Sequence, residues 1–173
     1  MTETTIENYQ ERAARTMPDL GSLAANGAHM ALGITTEFGE MNVGIVMNDL
    51  VNIREEHGDM AWYLANSCNL YGLNFQQLYD IAKQEFPKLF ALHDIVDLHK
   101  REFAYGKEMD IEKLREQLII AIQKLLVVSH SHDFSFEESL QKNIDKLYQR
   151  FPNKFTQEDA LDRDLDKERE ILE

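Results

Sequence analysis

Two short acidic pairs are the residues of this sequence whose types and spacing could do chemistry. Glu37 and Glu40 form one pair, and Glu56 and Asp59 form the other, each with its members three residues apart. In a helix this spacing puts both carboxylates on one face. No Lys or Arg lies three or four residues from Glu37 or Glu40, so an intrahelical salt bridge does not account for the first pair. The residue types favour a hard divalent cation bound by oxygen ligands.

Apolar residues surround both acidic pairs, which indicates that part of each acidic face lies close to a core. Carboxylates in that position need a partner. The flanking residues are Ile34, Phe38, Met41 and Ile45 around the first pair and Ile53, Met60, Trp62, Tyr63 and Leu64 around the second. Asn48 and Asp49 between the pairs predict a break and a helix cap, and therefore an antiparallel hairpin of two helices. We expect this hairpin to make the four carboxylates converge.

The elements that must position these acids are predicted to be helices. All three prolines and three of the eight glycines, Gly21, Gly72 and Gly106, fall between tracts with apolar periodicity, and helix-forming residues fill those tracts. We expect one all-α domain over residues 1–173, with Asp110 and Ser135 as helix caps. The predicted helices lie near 4–16, 23–48, 50–71, 75–86, 88–104, 110–131 and 136–150. The highly charged tail, 156–173, is expected to be a solvated or frayed helix.

Composition excludes several classes of function. The net charge of −13 argues against a nucleic-acid binder, which needs a basic face for phosphates. Cys68 is the single cysteine, and we interpret it as a reduced core residue. No apolar run approaches the length of a membrane span, and the N-terminal segment has neither the apolar core nor the cleavage site of a signal peptide. We expect a cytoplasmic protein without membrane or nucleic-acid partners.

An internal repeat relates the two halves of the chain. Residues 114–155 can be laid over residues 53–90, so that 5–90 form one predicted repeat and 91–155 a second, degenerate one. In this overlay Glu56 and Asp59 of the first repeat correspond to Gln117 and Ile120 of the second, so the second repeat has lost its acidic pair. Its last helix instead carries a polar and basic stripe made of Asn143, Lys146 and Arg150.

These motifs resemble the all-α nucleoside triphosphate pyrophosphohydrolases, a superfamily that includes MazG-like enzymes, often of phage type, and the dimeric dUTPases. LGITTEFGEM and REEHGDMAWYLA are similar to the two helices that carry the acidic signature of that family. DLHKREFAYGKEMDIEKLREQL and NIDKLYQRFPNKFTQEDALDRDLDKE are similar to stretches between and after those motifs. The resemblance extends from about Tyr9 to near the end of the chain. It implies a helical bundle of two tandem repeats, a covalent pseudo-dimer with a single active site.

The resemblance also implies an activity and a cofactor. The family hydrolyses a nucleoside triphosphate between its α- and β-phosphates, giving a monophosphate and pyrophosphate, often for nucleotide-pool house-cleaning. Four clustered carboxylates suit Mg2+, with Mn2+ as an alternative, because the ions clamp phosphate oxygens and lower the pKa of water. Glu37, Glu40, Glu56 and Asp59 would be the catalytic residues and metal ligands. Either Glu37 or Glu40 would orient the attacking water.

Substrate contacts are expected from three groups of residues. The basic stripe of Asn143, Lys146 and Arg150 corresponds to a family segment that contacts nucleotide, so we expect Lys146→Ala to weaken substrate binding more than metal binding. Lys100, Arg101 and Lys107 form an alternative set of phosphate donors. Trp62, Tyr63 and Asn66 follow the second acidic pair and could line a base pocket, although aromatic residues at these positions are more often core. His57 is expected to be a packing or surface histidine.

Two other functions are compatible with an acidic helical bundle. A di-iron carboxylate protein would normally carry Glu-x-x-His pairs, and this sequence has none. A catalytically inactive interaction module would keep the fold but lose both acidic pairs, whereas one copy is complete. The preferred base and sugar stay open, and so does association, since the internal repeat could replace a homodimer or form half of a larger assembly.

Overall fold

A computed structural model describes residues 3–162 and 164–173, and within these ranges every regular element is a helix. The all-α prediction is confirmed. The helices are α1 (Ile6–Ala14), α2 (Leu23–Met47), α3 (Leu50–Tyr71), α4 (Phe75–Gln84), α5 (Leu92–Tyr105), α6 (Ile111–Ser131), α7 (Phe136–Arg150), α8 (Gln157–Leu161) and α9 (Leu165–Leu172). None of the described helices combines the length and apolar character that crossing a membrane requires.

The hairpin of α2 and α3 forms where the sequence predicts it. Asn48 ends α2 in the left-handed conformation, with φ of 54°, which Asn tolerates better than most residues. The Asp49 side chain then accepts a hydrogen bond of 3.2 Å from the Asn52 backbone N–H and caps α3. The predicted caps Asp110 and Ser135 begin α6 and α7 in the same way. Local sequence therefore determines these helix ends.

Helix α5 begins later than predicted, at Leu92 instead of near residue 88. Residues distant in sequence contact the segment before it. The Gln123 side chain on α6 accepts a hydrogen bond of 3.0 Å from the Lys88 backbone N–H and donates one of 3.4 Å to the Phe86 carbonyl. The Phe90 ring also packs edge-on against Phe38 of α2. These contacts hold residues 86–90 against α6 and α2.

The core lies between the α2–α3 hairpin and the helices that follow. Helix α2 packs along α3 and α5, α4 packs on α6, and α7 packs on α3. Helix α1 packs on α3 and brings Tyr9 and Ala13 into the core. Helix α3 is therefore at the centre of the molecule, which explains why so many of its residues are buried.

The charged tail is more ordered than the sequence predicts. It contains α8 and α9, and α9 packs against α7 and α3. The Leu172 side chain is 2% exposed, and the Leu172 carbonyl accepts a hydrogen bond of 2.7 Å from the Lys142 ammonium group. Helix α9 is therefore not fully solvated, because Glu168 and Leu172 are buried against the bundle while Asp166, Lys167, Arg169 and Glu170 are exposed.

Candidate metal and substrate site

Three of the four predicted acids meet beside the α2–α3 hairpin. Glu37 comes from α2, and Glu56 and Asp59 come from α3. One carboxylate oxygen of each residue lies within 4.8 Å of the others. Glu40, one turn farther along α2, is exposed and lines the same cavity without joining this group of three. The hairpin thus brings the two acidic pairs to one place, as expected, with Glu40 at its edge.

Burial and neighbouring negative charge disfavour ionisation of Glu37 and Glu56, since Lys146 pairs with Asp59 and Glu55 and not with these two acids. Burial, a hydrogen bond with Glu37 and the charge of Asp59 together raise the pKa of Glu56 to about 10. Burial also raises the pKa of Glu37, while the hydrogen bond with Glu56 acts to lower it. These directions indicate that the Glu56 carboxyl keeps its proton at neutral pH and donates it to the Glu37 carboxylate. A bound cation would replace that proton.

Asp59 is held on both of its oxygens by residues of α7. The Asn143 amide N–H donates to Oδ1 at 2.7 Å, and the Lys146 ammonium donates to Oδ2 at 2.5 Å. Lys146 also donates to Glu55 at 3.1 Å and is only 1% exposed. Burial acts to lower the pKa of Lys146, but the charges of Asp59 and Glu55 outweigh it and raise the pKa. Lys146 therefore stays charged inside the protein.

Tyr9 and Gly58 complete the contact between α3 and α7. The Tyr9 hydroxyl donates to the side-chain oxygen Oδ1 of Asn143 at 2.9 Å and lies 3.3 Å from the Gly58 backbone carbonyl oxygen, a second acceptor. Burial and the charge of Asp59 raise the pKa of Tyr9, so the hydroxyl remains a donor. A Cβ on Gly58 would lie 2.9 Å from both the Asn143 Cβ and the Ser139 carbonyl oxygen. Only glycine lets α7 approach so closely, which accounts for a helix-weakening residue in the middle of α3.

A cavity of about 890 Å³ opens beside the carboxylates, within the usual range of small-molecule sites, roughly 300–1,000 Å³. Its walls combine acids, two cationic groups and aromatic rings. The acids are Asp19, Glu37, Glu40, Glu55, Glu56 and Asp59, the cations are Lys146 and Arg150, and the rings are His29, Trp62, Tyr63, Phe151 and Phe155. Residues 155–157 and 160 also line the cavity, so the segment after α7 closes one side.

The predicted substrate residues are divided between this cavity and other parts of the molecule. Trp62 lines the cavity, and its indole N–H donates to Ala13 at 3.1 Å. Asn66 is fully buried, where its amide donates to the Trp62 carbonyl, and it does not line the cavity. Lys100 is paired with Asp97 at 2.6 Å on α5, and Lys107 is exposed in the following loop. Neither lysine lines the cavity.

Arg150 lines the cavity but is engaged by the tail. Its Nε and Nη2 groups donate to the two carboxylate oxygens of Glu168 on α9, at 2.8 Å and 2.5 Å. This bidentate geometry is the strong form of such a pair. Lys146 is likewise engaged by acids. The basic stripe of α7 is thus brought to the site as predicted, while its charged groups contact protein carboxylates.

Sequence reasoning missed Glu55, Glu168 and Tyr9. Glu55 adjoins the second acidic pair, but its partner Lys146 is 91 residues away. The sequence carried no signal for these pairings, because long-range packing creates them. His57 follows expectation as a packing residue: its ring donates to the Leu125 carbonyl and accepts from the Ser139 hydroxyl. Burial lowers its pKa to about 3.

The oxygen donors of Glu37, Glu56 and Asp59 match the ligand preference of a hard divalent cation. Lys146 offsets part of the charge at Asp59, and a divalent ion would remove the remaining repulsion, which helps to raise the pKa values of Glu37 and Glu56. The adjoining cavity has room for a ligand with both phosphate and aromatic parts. No family model, curated protein or solved structure matches the chain in the three comparisons made.

Proposed function

We propose that this protein is a Mg2+-dependent nucleoside triphosphate pyrophosphohydrolase that cleaves ribo- or deoxyribonucleoside triphosphates to the monophosphate and pyrophosphate. The observation that carries the proposal is the meeting of Glu37, Glu56 and Asp59 within 4.8 Å beside a large cavity. The resemblance of the acidic motifs to MazG-like enzymes supplies the reaction. We propose house-cleaning of the cytoplasmic nucleotide pool as its role.

The carboxylate oxygens fit Mg2+, and Mn2+ could substitute because it also accepts oxygen ligands. Glu37, Glu56 and Asp59 would hold the ion, with Glu40 close enough along α2 to share the cavity. The ion would neutralise phosphate charge and make a water molecule more acidic. A triphosphate that arrives with its cation would also tolerate the acidic walls, which would repel a bare anion.

Residues around the cavity would position the metal ligand, the attacking water and the substrate. Asn143 and Lys146 fix both oxygens of Asp59, so this ligand is preorganised. Glu40 is exposed in the cavity and is free to orient a water molecule as a general base. Arg150 can reach phosphate oxygens by exchanging its pair with Glu168. Trp62 and Tyr63 offer an apolar wall to a nucleobase.

We also propose that the fold is a covalent pseudo-dimer of two repeats. In support, α4 of the first repeat packs on α6 of the second, and α7 of the second packs on α3 of the first. Since α4 and α7 occupy matching positions in the two repeats, this exchange is expected of fused subunits. The repeats have also diverged. Helices α5 and α6 of the second repeat correspond to the α2–α3 hairpin of the first, but α5 packs mainly on α2 and far less on α6. Because only the first repeat keeps both acidic pairs, we propose one active site per chain.

The test is pyrophosphate release from a panel of nucleotides that includes dUTP, dCTP and the purine triphosphates, with Mg2+ or with a chelator. We expect Mg2+-dependent formation of monophosphate and pyrophosphate in equal amounts. Asp59→Asn should abolish it, whereas Glu11→Gln, an exposed acid of α1, should not. Absence of release from every nucleotide would favour an inactive interaction module. Bound iron with visible absorbance would instead favour the di-iron alternative.

A further inference from the structure

A chain of hydrogen bonds leads from the first helix to the acidic site. The Tyr9 hydroxyl on α1 donates to Asn143 Oδ1 at 2.9 Å, and Asn143 Nδ2 donates to Asp59 Oδ1 at 2.7 Å. Tyr9 is fully buried and Asn143 is 2% exposed, so solvent has little access to either group. These two hydrogen bonds join α1, α7 and α3, which are distant in sequence.

We infer that Tyr9 is a positioning residue of the proposed site: its hydroxyl fixes the Asn143 amide, which in turn holds Asp59 in the orientation that binds the cation. This inference rests on the proposed metal-dependent function. It assigns a role to a residue of α1, which contributes none of the acids.

The orientation of the Asn143 amide is what the Tyr9 hydroxyl controls. Asp59 needs the N–H side of the amide, because a carboxylate only accepts hydrogen bonds. The carbonyl side must then face a donor, and within the described residues Tyr9 is that donor. Without it, a buried carbonyl oxygen is left unpaired, which favours rotation or withdrawal of the whole amide. Asp59 would lose one of its two supports.

Packing alone does not explain a tyrosine at this position. The Tyr9 ring packs against Phe75 with centroids 5.7 Å apart, and a phenylalanine ring would fill the same space. A hydroxyl in a core is costly unless it is hydrogen-bonded, and here the shorter contact is to Asn143 Oδ1 at 2.9 Å, with the Gly58 carbonyl oxygen a second acceptor at 3.3 Å. Because Lys146 still holds the other oxygen of Asp59, losing the hydroxyl should weaken the site without destroying it.

The direct test is Mn2+ affinity, measured by electron paramagnetic resonance on the full chain. We expect Tyr9→Phe to weaken Mn2+ binding about 10-fold, the low end of outer-shell effects. Tyr79→Phe is the matched control, since Tyr79 is buried on α4 and its hydroxyl bonds Glu137 away from the cavity. That variant should bind Mn2+ like the wild type. Urea unfolding of each variant identifies conditions in which the protein is folded.

A double-mutant cycle tests the route through Asn143. In an Asn143→Ala background, Tyr9→Phe should have no further effect on Mn2+ affinity, because the residue that transmits it is gone. An unchanged affinity in Tyr9→Phe overturns the inference, and so does an equal loss in both backgrounds. If Asn143→Ala fails to fold, the comparison of Tyr9→Phe with Tyr79→Phe decides alone.

Activity separates this inference from the function on which it rests. We expect Tyr9→Phe to lower kcat about 10-fold at limiting metal, while KM for the nucleotide is unchanged. An inactive wild-type protein that binds Mn2+ would refute the proposed reaction, and the affinity cycle would still decide the role of Tyr9. An active wild type with an unaffected Tyr9→Phe variant would refute the inference alone.

Discussion

Replacing Glu56 by Gln should stabilise the metal-free protein, and the gain should grow with pH. Glu56 is 6% exposed, and burial with the neighbouring carboxylates raises its pKa from 4.5 to about 10. The unfolded chain ionises Glu56 at its ordinary pKa, while the folded protein keeps the proton. Stability from this group is therefore complete below pH 4.5 and is lost as the pH rises towards the folded pKa. Gln keeps the shape and can donate its amide N–H to Glu37.

The size of the effect follows from proton linkage. One proton retained by the folded state changes the free energy of unfolding by about 1.4 kcal/mol per pH unit. Between about pH 6 and about pH 8 the upper limit is about 3 kcal/mol. Solvent in the cavity screens part of the repulsion, so we expect the advantage of Glu56→Gln over the wild type to increase by about 1–2 kcal/mol.

Urea unfolding in the presence of a chelator, near these two pH values, measures this increase. Glu11→Gln is the matched control because it removes an exposed acid from α1, and its difference from the wild type should not change with pH. Added Mg2+ should stabilise the wild type, since an ion replaces the shared proton, and should stabilise Glu56→Gln far less. An advantage of Glu56→Gln that is the same at both pH values would refute the electrostatic account of the site.

Three further substitutions probe separate parts of the site. Glu40→Gln should abolish pyrophosphate release yet change the free energy of unfolding by less than about 0.5 kcal/mol, because Glu40 is exposed. Full activity of this variant would show that Glu40 does not orient the attacking water. Gly58→Ala should cost about 2–3 kcal/mol in urea unfolding because its Cβ would meet the Ser139 carbonyl, and a neutral result would contradict the close helix contact. Lys146→Met should cost about 3–5 kcal/mol and weaken Mn2+ binding, measured by titration, at least as much as nucleotide binding, because Lys146 holds one oxygen of Asp59. Selective loss of nucleotide binding would instead support a direct contact between Lys146 and phosphate.

Much of the fold was predictable because its signals are local. Helix periodicity and caps such as Asp110 and Ser135 depend on residues within one turn, and the hairpin follows from Asn48 and Asp49. The start of α5 was not predictable, because Gln123, far along the chain, binds the backbone of Lys88. The packing of α9 was missed for a similar reason, since Glu168 and Leu172 meet Arg150 and Lys142 of α7 only in the folded protein.

The candidate site divides in the same way. The acidic pairs are local patterns, so the sequence could select Glu37, Glu40, Glu56 and Asp59, of which the fold brings all but Glu40 within 4.8 Å of one another. The residues that hold these acids are distant in sequence, and their roles were not predicted. Lys146 was expected to contact phosphate, but it donates to Glu55 and Asp59. Lys100 could have been set aside from sequence, because Asp97 lies three residues earlier and the two form an ordinary helix-surface pair. Tyr9 had no local signal at all.

The central claim is that acids of α2 and α3 bind a divalent cation in the cavity that also receives the triphosphate. A crystal grown with Mn2+ and a triphosphate analogue that resists cleavage between its α- and β-phosphates tests it most directly. Anomalous scattering should locate manganese bonded to oxygens of Glu37, Glu56 and Asp59 and to the phosphates. Manganese bound elsewhere, or a cavity without nucleotide at saturating concentration, would contradict the account.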